Sequence, residues 1–120
     1  MNSEKIKILM TLGDFELCTI SKLVKKEDGT KSYTYLPISE GLMVKYCMEN
    51  EETGKTTYIP IAFVRAHKDG SVHYESYGER IEQFCDTWEK VKLFRKILAE
   101  AKEFIKEAVN KTIIEQVVTE

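Results

Sequence analysis

His67 and His73 are the only histidines of the chain, and Cys18, Cys47 and Cys85 its only thiols. These five side chains carry most of the obvious chemistry. A protein metal site needs three or four converging ligands, commonly signalled by His-Glu-x-x-His or Cys-x-x-Cys spacing. Neither pattern occurs, so the histidines read as turn or surface residues and no metal is expected. A nucleophilic cysteine needs a base beside it in space, and none of the thiols sits in a local catalytic signature. Their odd number and wide spacing also argue against a disulfide framework. They read as reduced, buried thiols of a cytoplasmic protein.

One acid–base candidate remains. His73 and Glu75 share a face if residues 71–77 form a strand, with Tyr77 on the same side. That pair supports a small-ligand-binding protein or enzyme as one alternative. The glycines form neither Gly-x-Gly-x-x-Gly nor a phosphate-binding loop, and Gly54-Lys55-Thr56 lacks the upstream glycine such a loop requires. No cofactor is expected, and the leading expectation is that the chain is not an enzyme.

Recognition is better represented than catalysis. Tyr33, Tyr35, Tyr58 and Tyr74, with Lys45 and Arg65, are the residue types that stack bases and touch phosphates. They define a second alternative, single-stranded nucleic-acid binding. The charge balance opposes it, because 18 basic residues against 20 acidic ones leave a net charge of -2 and no broad electrostatic footprint. The helical cluster of Lys90, Lys92, Arg95 and Lys96 reads as a solvated edge beside an apolar stripe. A membrane-surface role is not expected either, since the polar residues from 79 onward mix both signs of charge.

The elements that must position these residues differ in texture on either side of residue 78. The first part has strand-like runs at 5–12, 15–25, 31–37, 42–49, 56–65 and 71–77, divided by Gly13-Asp14, Asp28-Gly29, Gly54 and Asp69-Gly70. Residues 42–49 also admit a helical reading, as do 18–26; alternation of Leu42, Val44, Tyr46 and Met48 favours a strand in the former. Pro60 argues against full pairing of the 56–65 run. The segment Thr34-Tyr35-Leu36-Pro37-Ile38 is echoed by Thr57-Tyr58-Ile59-Pro60-Ile61, without a third copy that would indicate a repeat protein.

From Glu79 onward neither glycine nor proline occurs. Ser76-Tyr77-Gly78-Glu79 fits a capping box, and Asp86-Thr87-Trp88-Glu89 offers the same spacing at a kink or second helix start. Val91, Phe94, Leu98, Ala101, Ile105 and Ala108 recur at helical spacing. An unbroken helix over 79–118 would be about 60 Å long, at roughly 1.5 Å per residue, and too long for a small sheet. The excess suggests self-association.

The sequence therefore predicts a single α+β domain over 1–120. An antiparallel sheet of about five to six strands in 5–77 precedes a long or kinked amphipathic helix in 79–118. The leading function is non-enzymatic protein binding by an accessory or inhibitory factor, acting as a homodimer and using apolar helix and tyrosine-rich sheet surfaces. Its candidate contact residues are Trp88, Phe94, Leu98, Ile105, Val109, Ile113 and Val117. Trp88, large and amphipathic, is the best single anchor.

Overall fold

Alternation settles the segment that could have been helical. Leu42, Val44 and Tyr46 point to one side of a strand and Met43, Lys45 and Cys47 to the other, and this strand is the middle of the main sheet. In the computed structural model, which describes residues 8–119 and their side chains through residue 111, the fold is α+β. Its strands are β1 (Ile8–Leu12), β2 (Phe15–Thr19), β3 (Ser21–Lys25), β4 (Lys31–Tyr35), β5 (Leu42–Glu49), β6 (Thr56–Ala66) and β7 (Val72–Ser76). Two helices follow, α1 (Gly78–Phe84) and α2 (Trp88–Thr119). Five strands form one antiparallel sheet in the order β1-β2-β5-β6-β7, while β3 and β4 form a separate two-stranded hairpin. Residues 5–7 of the first expected strand and the side chains of Ile113 and Val117 lie outside the described residues.

The run expected as a single strand over 15–25 divides at Ile20. β2 pairs with β5 from Phe15↔Tyr46 to Thr19↔Leu42, and β5 begins there. Beyond Thr19 the chain has no neighbour in the main sheet, so Ser21–Lys25 pairs instead with Lys31–Tyr35. Pro60 sits where its missing N–H does least harm. The β5–β6 register shifts beside it, between Val44 and Lys45, and β7 pairs with β6 only from Ala62 onward. The Pro60 carbonyl accepts a hydrogen bond from Arg80 Nη1 at 2.7 Å.

The helical region breaks between Phe84 and Trp88, and α2 then continues through Asn110 without interruption. The expected capping box at Ser76 does not form; Tyr77 occupies the N-cap of α1 in an extended conformation, with no side-chain cap hydrogen bond. At α2 the cap is Thr87 rather than Asp86, for Thr87 Oγ1 accepts from the Lys90 N–H at 3.2 Å.

Phe94, Ile97, Leu98, Ala101 and Ile105 recur every three or four residues along α2 and are all buried. They cover one face of the sheet, where Phe15, Leu17, Leu42, Val44, Ile61, Ala62 and Val64 complete the core. Phe84 closes one end, stacked on Tyr46 with ring centroids 4.7 Å apart. Each fully buried aliphatic residue contributes about 1.5–3 kcal/mol by leaving water, and this helix-on-sheet layer holds most of them.

The molecule is nonetheless elongated, with a Cα radius of gyration of 16.4 Å and extents of 55 × 39 × 21 Å. A compact chain of this length would have a radius of about 14 Å. The short dimension accommodates one helix layer on one sheet layer. The long one matches α2, whose 32 residues span about 48 Å.

The β1–β2 turn fixes the approach of sheet and helix. Gly13 has φ +58°, and a Cβ there would lie 2.7 Å from Leu93 Cδ1 of α2. Gly13→Ala therefore combines backbone strain with a clash, and should lower the free energy of unfolding by about 1–3 kcal/mol. Urea titration of the two proteins measures the difference.

Candidate functional site

The sheet has two chemically different faces. One lies under α2. The other carries Glu16, Cys18, Met43, Lys45, Cys47, Phe63 and Arg65, by the alternation and register of β2, β5 and β6. Three residues of that second face, Glu16, Cys18 and Lys45, are buried even though they point away from the helix. Glu16 and Lys45 are direct cross-strand partners, and Cys47 Sγ lies 3.9 Å from Glu16 Oε2.

This setting disfavours thiol nucleophiles. Burial pushes the Cys18 thiol up from 9.0 to about 11, with the Glu16 carboxylate adding to the effect and Lys45 opposing it. Burial also raises the Cys47 and Cys85 thiols, and at Cys47 the Glu16 carboxylate reinforces it. All three cysteines are free, and near neutral pH they remain protonated thiols rather than thiolates.

His73 and Glu75 share one face of β7, opposite Arg65 and Phe63 of β6. His67 and His73 pack edge-to-face across the β6–β7 hairpin, 4.7 Å between ring centroids, and His73 Nε2 is 2.9 Å from Ser71 Oγ. The Ser71 hydroxyl and N–H in turn donate to Asp69, which holds that carboxyl below its usual range. Glu75 instead lines a small cavity of about 130 Å³ beside Phe63 and Tyr77. Among the described residues, no group of three or more histidine, cysteine or acidic side chains is arranged to hold a metal.

The six tyrosine and basic candidates for nucleic-acid contact fall on three surfaces. Tyr33 and Tyr35 belong to the β3–β4 hairpin. Lys45, Tyr58 and Arg65 share the sheet face opposite α2, where Lys45 is buried and Tyr58 exposed. Tyr74 is on the helix side, paired with Val64, and has the Lys102 ammonium 5.6 Å from its ring centroid. They do not line one groove.

The helix candidates separate equally clearly. Phe94, Leu98 and Ile105 belong to the core, and Val109 is partly buried against it. Val109 also lines a cavity of about 250 Å³ with Ala66, His67, Val72 and Lys106. Trp88 differs from all of these. It is 59% exposed at the first turn of α2, with Lys92 Nζ and Arg95 Cζ 5.6 and 5.7 Å from its ring centroid.

Two features escaped the sequence reading. The first is that the β3–β4 hairpin is a projecting arm, with Leu23, Val24 and Tyr33 exposed. The second is an open groove of about 400 Å³ at the far end of β2 and β5. Tyr46, Met48 and Phe84 supply its apolar surface, and Asp14, Glu49 and Lys90 its charges. Lys90 is already engaged by Asp86 at 3.3 Å and lies 5.5 Å from the Tyr46 ring centroid, so the carboxylates of Asp14 and Glu49 give the groove its character. The lysines near residues 22–31 were a visible signal for the arm; the groove joins distant segments and had none.

The raised Cys18 pKa makes stability depend on pH in the alkaline range. Between pH 9.0 and about 11 the unfolded thiol ionises while the folded one keeps its proton, so stability falls as pH rises. The contribution is on the order of 2 kcal/mol. Denaturant titrations across that window should show a shallower loss for Cys18→Ala than for the wild type. The sequence matches no protein-family model, and no curated protein or solved structure compared with it gives a match.

Proposed function

We propose that this chain is a non-enzymatic protein-binding factor, accessory or inhibitory in character, that engages its partner through Trp88. The observation that carries this reading is the contrast along one helix. Phe94, Leu98 and Ile105 are taken up by the protein's own sheet, while Trp88 remains 59% exposed beneath two cations. Tryptophan supplies large contact area for little conformational entropy, and is among the residues most enriched where interfaces concentrate their energy. Lys92 and Arg95 lie where rim charges would select an acidic surround on the partner.

A second contact surface is provided by the sheet face away from α2. Tyr58 and Tyr77 are 51% and 46% exposed, and the Arg80 guanidinium lies 4.4 Å from the Tyr77 ring centroid. Phe63 packs edge-to-face on Tyr77. These rings suit an apolar partner surface with polar edges. Nucleic acid is disfavoured by the dispersal of the tyrosines and by the net charge of -2. The protonated thiols favour binding over thiol catalysis.

The cellular setting belongs to the same proposal. Three free thiols without a disulfide fit a reducing compartment, and the cytoplasm is the natural one. No helix among the described residues is long and apolar enough to cross a membrane.

Trp88→Ala decides the matter. A partner captured by in-cell crosslinking and quantified with purified components should bind the variant at least about 30-fold more weakly, the effect of losing a hot-spot residue worth ~2 kcal/mol. The melting temperature should change little, because the ring is outside the core. Undiminished partner affinity would overturn the assignment.

A further inference from the structure

We infer that the β3–β4 arm docks in the Asp14/Glu49 groove of a second copy of this chain. The inference is independent of the Trp88 reading. It rests on how one chain distributes its charge and apolar surface.

The arm is basic while the rest of the chain is acidic. Residues 21–35 contain four lysines and two acids, for a net +2. The remainder then holds 14 basic and 18 acidic residues, a net -4. Lys25 and Lys31 are direct cross-strand partners, an arrangement that destabilises a hairpin unless a counter-charge approaches. Among the described residues, no ion pair involves any lysine of the arm. A two-stranded hairpin is marginal in water by itself, and this one makes no extensive contact with the other described elements.

The two surfaces match in order as well as in sign. Leu23 and Tyr33 pair on the same ribbon face as Lys25 and Lys31, so an apolar step is followed by a cationic one. The groove offers Tyr46, Met48 and Phe84 with the Asp14 and Glu49 carboxylates alongside, while the cation that also lines it, Lys90, is paired with Asp86 at 3.3 Å. Its Met48 is 41% exposed, and Leu23 on the arm 49%.

The arm cannot serve its own groove. It leaves the sheet after Thr19, whereas Asp14 and Glu49 stand at the other end of β2 and β5. A five-residue strand separates those ends by about 17 Å. Two copies related by a two-fold axis would exchange arms and leave neither arm nor groove unmatched, giving a closed dimer rather than a filament. A nucleic-acid duplex could also attract the lysines, but it would meet the net -4 of the body.

Light scattering with size-exclusion chromatography on the full chain tests this. The wild type should run at twice 13.9 kDa and dissociate as salt rises. Lys25→Glu/Lys31→Glu should weaken the dimer at least about tenfold, as should Asp14→Lys/Glu49→Lys. Mixing the two variants should restore a dimer, because each then offers the charge the other lacks. Trp88→Ala should leave it intact. A monomeric wild type, a dimer indifferent to the arm substitutions, or no recovery on mixing two folded variants would overturn the inference. Circular dichroism establishes folding; if the groove variant fails it, the arm variant alone decides. Binding of a DNA duplex by the wild-type monomer, lost in Lys25→Glu/Lys31→Glu, would also overturn it and assign the arm to a polyanion.

Discussion

The seating of α2 on one face of a five-stranded antiparallel sheet is the constraint from which the other features follow. Phe94, Ile97, Leu98, Ala101 and Ile105 form a stripe wide enough to cover β2, β5 and β6. That layer supplies the apolar burial that must offset the conformational entropy of ordering the chain. It also fixes the two turns at the Tyr46 end of the sheet. Gly13 abuts Leu93 on one side, and the break between Phe84 and Trp88 places α1 against Tyr46 on the other. The acidic groove is the gap left where these pieces meet.

A single helix layer also leaves the sheet asymmetric. Its far face contains Glu16 and Lys45 as buried cross-strand partners, beside thiols that burial holds in their neutral form. Toward β6 and β7 the same face becomes aromatic and cationic, through Phe63, Tyr77, Arg65 and Arg80. The two sides of the sheet thus differ in chemistry from one edge to the other.

Much of the architecture was legible in period and punctuation. Alternation identified β5 and β6, the Asp69-Gly70 turn predicted the β6–β7 hairpin, and the loss of glycine and proline after Gly78 announced the helices. The errors have physical causes. Residues 15–25 look uniformly strand-like, but β5 starts opposite Thr19 and leaves nothing for Ser21 to pair with in the main sheet. The Ser76–Glu79 spacing satisfies a capping pattern, yet Tyr77 takes the N-cap and Ser76 stays in β7. A motif gives spacing; the φ and ψ of its first residue decide whether the cap forms.

The same distinction applies to the candidate site. Sequence alone determined the residue types, the near-balance of charge and the apolar stripe of the last helix. These are properties of composition and of contacts a few residues apart. Only the tertiary structure decided that Phe94, Leu98 and Ile105 face the protein's own core while Trp88 does not. Only it separated Tyr33 and Tyr35 from Tyr58 and Tyr74, and brought Asp14 to Glu49 at one end of the sheet. The reason is that exposure depends on which strands become neighbours, and strand pairing is set by contacts between residues far apart in the chain.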